Sequence, residues 1–132
     1  MTRHISSLIL TLLFPAMLVT SCKELEKSNE REQLATILEN HSRKDLLDKW
    51  YPQALDTVYG GFLSSFTFDF KPTGPQDKMI VSQSRHIWTN SKAAELYPDV
   101  KHYLQGARHG FLFLRDKMWD QTYGGFHTLV DR

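Results

Sequence analysis

A chain of 132 residues with 41% apolar and 23% charged side chains has the makeup of one globular domain and excludes disorder over its body. Its formal charge is +1; with Arg3 set aside, 15 Lys and Arg residues balance 15 Asp and Glu residues. That balance, without a basic block, excludes an electrostatic footprint for nucleic acid and suits a neutral ligand. The single cysteine, Cys22, excludes an intrachain disulfide.

The chain opens on a basic start (Arg3, His4), an apolar run from Ile5 to Val19 and then small residues, the plan of a secretory signal. The run is short for a transmembrane span, which needs about 20 residues. Residues 1–21 are therefore predicted to be a signal peptide, residues 22–29 a polar tether, and residues 30–132 the folded domain. A helix is predicted from Glu30 to Trp50, with Leu34, Ile37, Leu38, Leu47 and Trp50 as a patchy apolar stripe. Pro52 ends it, because proline lacks the N–H and restrains the residue before it.

Asp56-Thr57-Val58-Tyr59-Gly60-Gly61-Phe62 follows, and it returns as Asp120-Gln121-Thr122-Tyr123-Gly124-Gly125-Phe126. Tyr59 and Tyr123 are 64 residues apart, a fixed period that marks a repeat architecture. Each copy is predicted to be a turn, with the glycines reaching positive φ and the aspartate bonding turn backbone. After the first, Phe62, Phe66, Phe68 and Phe70 alternate with Leu63, Ser65, Thr67 and Asp69, which predicts a strand with one buried aromatic face. Lys71 to Pro75 reads as a loop. A second helix is predicted from about Asp77, as N-cap, to about Tyr97, ended by Pro98. The third runs from Val100 to Met118, with Val100, Tyr103, Leu104, Ala107, Phe111, Leu114 and Met118 at helical spacing. A strand with Phe126, Thr128 and Val130 on one face completes the reading.

The residues alone carry little chemistry. No metal-ligand spacing, phosphate loop or nucleophile elbow occurs. His102 and His109 read as solvated, and Asp56 and Asp120 as turn formers, since they occupy the same place in the repeat. Arg85 stands out within Ser82-Gln83-Ser84-Arg85-His86-Ile87-Trp88. A planar guanidinium there can face a polar cavity while Trp88 offers a wall for a sugar face.

Two resemblances add to this. Leu18-Val19-Thr20-Ser21-Cys22 resembles the lipobox of bacterial lipoproteins, which implies cleavage before Cys22, acylation of that residue, export, and anchoring to a membrane surface on the periplasmic or outer-membrane side. From Trp50 to Arg132 the chain resembles the N-acylglucosamine 2-epimerase family, which includes cellobiose and mannobiose 2-epimerases and mannose isomerases. The matching residues are Trp50, Asp56 with Tyr59-Gly60-Gly61-Phe62, Lys78, Gln83-Ser84-Arg85 with Trp88, Ala107, Phe113-Leu114, and Tyr123-Gly124-Gly125-Phe126 with Val130-Asp131.

The resemblance implies an all-α fold, the N-terminal part of an (α/α)6 toroid with short β-hairpins, here as an incomplete ring. It implies a sugar as small-molecule partner, C2 proton transfer at the reducing end of an open-chain aldose, and no cofactor. Arg85 is the catalytic residue expected from it, and Trp88, Tyr59 and Lys78 are the expected substrate-binding residues. The family's two catalytic histidines match none of His41, His86, His102, His109 or His127, so these 132 residues are expected to be a catalytically silent piece. A glycoside hydrolase on the same toroid and a glycan-binding lipoprotein without catalysis are the competing expectations.

Overall fold

The structure, a computed structural model, describes residues 27–132; the predicted signal peptide and the lipidation residue Cys22 lie outside the described residues. In chain order, residues 27–40 form α1, His41–Leu47 a π-helical stretch, and Asp48–Trp50 the short α2. Then come β1 (Lys78–Met79), α3 (Ile80–Leu96), α4 (Lys101–Phe113), a second π-helical stretch (Leu114–Met118) and β2 (Leu129–Val130). The chain divides into two compact units after Ser42.

In the first unit, α1 carries local bonds of Thr36 Oγ1 to the Glu32 carbonyl and Asn40 Nδ2 to the Thr36 carbonyl. Of the predicted stripe, Leu34, Ile37 and Leu38 are more than half exposed, whereas Leu47 and Trp50 belong to the second unit and pack against its core. Among the described residues no helix is long and apolar enough to cross a membrane.

In the second unit, Arg43–Arg132, helical winding stops at Trp50 and Tyr51 is extended, the conformation that a following proline favours. Tyr51, Ala54, Phe62, Ala93 and Tyr103 form its core. A large side chain buried this completely contributes about 2–3 kcal/mol through the water it sheds. Tyr103 also donates its hydroxyl to Asp48 Oδ1 at 2.7 Å, so its polar tip is satisfied where the ring is buried.

Helix α4 buries part of the predicted stripe, Tyr103 and Ala107, and turns its other stripe residues outward. Tyr103, Gly106, Ala107, Gly110 and Phe113 are buried, whereas Leu104 and Phe111 are exposed. The reason is close helix packing: a Cβ on Gly106 would strike the Asn90 side chain, and one on Gly110 would strike Phe62 and Ile87. Helix α3 likewise buries amides, Gln83 and Asn90, and leaves Val81 and Trp88 outside. It starts at Ile80 rather than at an Asp77 cap, because Lys78 and Met79 pair antiparallel with Val130 and Leu129.

The aromatic strand predicted after the first turn is broken. Phe62 is buried, but Thr67 to Lys71 closes as a tight loop through Thr67 N–H to the Lys71 carbonyl and Phe70 N–H to the Thr67 carbonyl. Phe70 takes a positive φ, Phe68 is fully exposed, and Phe66 and Phe70 pack edge-on against Trp50 at 5.2 and 5.5 Å. The predicted terminal strand shortens to Leu129–Val130 for want of a longer partner than Lys78–Met79.

The 64-residue repeat is present atom for atom in the turns. In the first, Asp56 N–H meets the Gly61 carbonyl at 2.9 Å, Gly60 N–H meets the Asp56 carbonyl at 2.9 Å, and Leu63 N–H meets the Ala54 carbonyl at 2.8 Å. In the second, Asp120 N–H to Gly125, Gly124 N–H to Asp120 and His127 N–H to Met118 repeat these at 2.9, 3.1 and 2.8 Å. Asp56 Oδ1 accepts from the N–H groups of Val58 and Tyr59, and Asp120 Oδ1 from those of Thr122 and Tyr123. All four glycines have positive φ, the conformation for which glycine is selected.

Candidate functional site

The end of the second unit that holds the first turn is knitted by side chains from β1, α3 and α4. Gln83 spans Phe62, its Oε1 accepting from the N–H at 2.8 Å and its Nε2 donating to the carbonyl at 2.9 Å. Lys78 Nζ donates to Asp56 Oδ2 and to the Gly60 carbonyl, both at 2.7 Å, and lies 5.3 Å from the centre of the Phe113 ring. His109 Nε2 sits 2.9 Å from the Gly61 carbonyl and 3.2 Å from that of Asp56. Facing two acceptors, it must carry a proton there. Burial pushes the Asp56 carboxyl up, but bonds from Lys78, Arg132 and the Tyr59 N–H outweigh it and hold the group well below the usual carboxylate range.

This geometry places Lys78 out of solvent, with both partners inside the protein. Its observed part is to hold the turn through Asp56 and the Gly60 carbonyl. Tyr59 is half exposed, and the Arg132 guanidinium covers its ring at 4.9 Å.

Arg85 and Trp88 are elsewhere, one turn apart on the outward side of α3, and both are exposed. Arg85 lines a cleft of about 320 Å³ between α3 and the segment Leu46 to Tyr51. Leu46, Leu47 and Trp50 supply its apolar wall; Tyr51, Ser82, His86 and Thr89 join Arg85 on the polar side, and no carboxylate lines it. Among the described residues Arg85 has no hydrogen bond or ion pair, so its five donors remain available to a ligand. Trp88 does not line this cleft. The structure thus separates the four predicted residues into a turn pair, Tyr59 and Lys78, and a helix pair, Arg85 and Trp88.

Beside Arg85 the sequence reading passed over a polar pair. Tyr51 Oη and His86 Nδ1 are 2.7 Å apart, and the imidazole stacks on Phe62 at 4.6 Å. Burial pushes the Tyr51 hydroxyl up to about 12 and the His86 imidazole down. Both are therefore neutral near pH 7. One hydrogen bond joins them, given either by the Tyr51 hydroxyl to Nδ1 or by Nδ1–H to the Tyr51 oxygen, according to the imidazole tautomer. Among the described residues no group of three or more His, Cys, Asp or Glu is arranged to hold a metal ion.

A pH dependence follows. The folded His86 pKa lies below its unfolded value of about 6.5, so the unfolded chain binds the extra proton and stability is lost as pH falls below that point. Denaturant midpoints are expected to drop between pH 7 and pH 5 in the parent protein and to drop less in His86→Gln.

No protein-family model matches the chain. Individual proteins do. A D-mannose isomerase of Marinomonas mediterranea is 32% identical over 96 residues, which are 73% of this chain and 23% of that protein. Among solved structures, cellobiose 2-epimerase of Spirochaeta thermophila superposes with a TM-score of 0.68 at 31% identity, over 76% of this chain and 24% of that one. A D-mannose isomerase crystal structure gives 0.65 at 31% identity, over 73% and 24%.

The chain belongs to the N-acylglucosamine 2-epimerase family. It spans about a quarter of the length of the relatives it matches. The helices and the two-stranded sheet described above are part of the family's (α/α)6 toroid.

Proposed function

We propose that the native protein is a carbohydrate 2-epimerase or isomerase acting on the reducing end of an aldose. The observation that carries this reading is Arg85: a guanidinium without partners among the described residues, in a cleft whose other lining groups are neutral, within a chain similar to sugar isomerases and epimerases. A base removes the C2 proton of the open-chain sugar, and the electron pair moves into C1=C2 while the aldehyde oxygen takes up negative charge. Arg85 donates hydrogen bonds to that oxygen as the charge grows, and guanidinium cannot lose its proton in doing so. Return of the proton to the other face of C2 gives the epimer. Delivery to C1, with the 2-hydroxyl proton passing to the C1 oxygen, gives the ketose.

His86 is not assigned as the base in this scheme, because it matches neither catalytic histidine implied by the family. The two histidine proton carriers implied by the family are assigned to no residue of this sequence, and residues 1–132 alone are expected to turn over no sugar. A glycoside hydrolase needs two carboxylates across its pocket, and the Arg85 cleft offers none.

In the native protein, Arg85→Ala is expected to lower kcat about a hundredfold with a smaller change in KM, the loss typical of one oxyanion donor. Steady-state kinetics on mannose and on a β-linked disaccharide test this. A kcat within twofold of the parent on both would remove Arg85 from the mechanism.

A further inference from the structure

We propose that the second turn is a docking socket for a strand–helix unit that presents a lysine and, five residues later, a glutamine. The first turn shows what such a unit does. Lys78, on β1, reaches the outer oxygen of Asp56 and the Gly60 carbonyl at 2.7 Å each. Gln83, five residues on, satisfies both backbone groups of Phe62. Phe113 closes over the glycines: a Cβ on Gly61 would lie 2.8 Å from its ring.

The second turn has the same frame and none of this cover. Asp120 Oδ1 is used as Asp56 Oδ1 is, but Asp120 Oδ2 has no partner among the described residues. The backbone groups of Phe126 are likewise free of side-chain bonds, and nothing lies within 4 Å of a Cβ built on Gly124 or Gly125. Tyr123 is 90% exposed and Phe126 48%, whereas Phe62 in the first turn is 0% exposed.

Charge complementarity selects the occupant. In the first copy Asp56 Oδ2 and the Gly60 carbonyl take one ammonium between them; Asp120 Oδ2 and the Gly124 carbonyl are their equivalents, and the N–H and carbonyl of Phe126 match one primary amide as those of Phe62 do. The repeat supplies the geometry, since a lysine on a short strand and a glutamine in the first turn of the following helix reach both places in the first copy. The inference does not depend on the sugar reading.

Carboxyl footprinting of the native protein tests it, using carbodiimide and glycine ethyl ester with readout by peptide mass. Asp120 is expected to be protected to the same degree as the buried Asp56, while the exposed Asp77 and Asp99 label freely. In a recombinant chain of residues 1–132 Asp120 should label at least about tenfold faster than Asp56, as expected where no charge-assisted bond holds it. Labelling of Asp120 at the Asp99 rate in the native protein overturns the proposal. As a second arm, Asp120→Asn keeps the Oδ1 acceptor that shapes the turn and removes only the charge. It should lower the native protein's unfolding midpoint as far as Asp56→Asn does; an unchanged midpoint also overturns the socket.

Discussion

Replacing Lys78 by methionine is expected to destabilise the 132-residue chain by about 3 kcal/mol, the lower end of the range for stranding one member of a buried ion pair. Lys78 and the Asp56 side chain are 0% and 1% exposed, so solvent cannot replace the lost ammonium. Arg132 moderates the loss, since its Nε remains 2.9 Å from Asp56 Oδ2. The same arginine is 40% exposed, so Arg132→Ala should cost less than about 1 kcal/mol, as a screened pair does.

The sign with pH is fixed by Asp56. Its folded pKa lies below the unfolded value of about 3.9, so the stability it confers is present above about pH 4 and is lost as pH falls toward the folded value. The difference between parent and Lys78→Met should therefore shrink on acidification. Urea titrations at pH 7 and pH 3 measure both numbers, and a Lys78→Met midpoint equal to the parent's at pH 7 would contradict the pairing.

The second large effect compares two glycines at equivalent places. Gly61→Ala is expected to cost about 3 kcal/mol: about 1 for an L-residue at φ +68 and about 2 for overpacking. The added Cβ meets Gln83 Oε1 at 2.6 Å and the Phe113 ring at 2.8 Å, and both are held, the first by its bond to Phe62 and the second by burial. Gly125→Ala meets nothing within 4 Å at φ +85, so in residues 1–132 only the backbone penalty of about 1 kcal/mol remains. Paired chemical denaturation of the two variants checks the contrast. Equal losses would mean that the two turns are covered alike.

These contrasts also show which features could be read from residues. The repeat was legible because it is local: aspartate, two glycines and a phenylalanine specify one turn wherever they occur. Helix boundaries near Pro52 and Pro98 were legible for the same reason. The buried faces were not. Gln83 and Asn90 are fully buried, yet amides count as surface in any hydropathy pattern. Gly106 and Gly110 sit on the inward face of α4 because helices approach there, a demand visible only once Asn90, Phe62 and Ile87 are in place.

The same holds at the candidate site. Arg85 could be singled out as an arginine among small residues, but its cleft is made by Leu46 to Tyr51, more than 30 residues earlier. Lys78 has the residue type of a ligand binder and the position of a clamp, and spacing does not distinguish them. His86 gained its meaning from Tyr51, and His109 from the carbonyls of Asp56 and Gly61.

The measurement closest to the central claim is hydrogen exchange at C2 of mannose, glucose and a β-linked disaccharide, followed by NMR in heavy water with the native protein. C2 proton transfer predicts loss of the C2 proton signal on at least one of these sugars, together with the growth of its 2-epimer or ketose. Sugar that binds while C2 keeps its proton, or a disaccharide that is cleaved to monosaccharides without exchange, would contradict it.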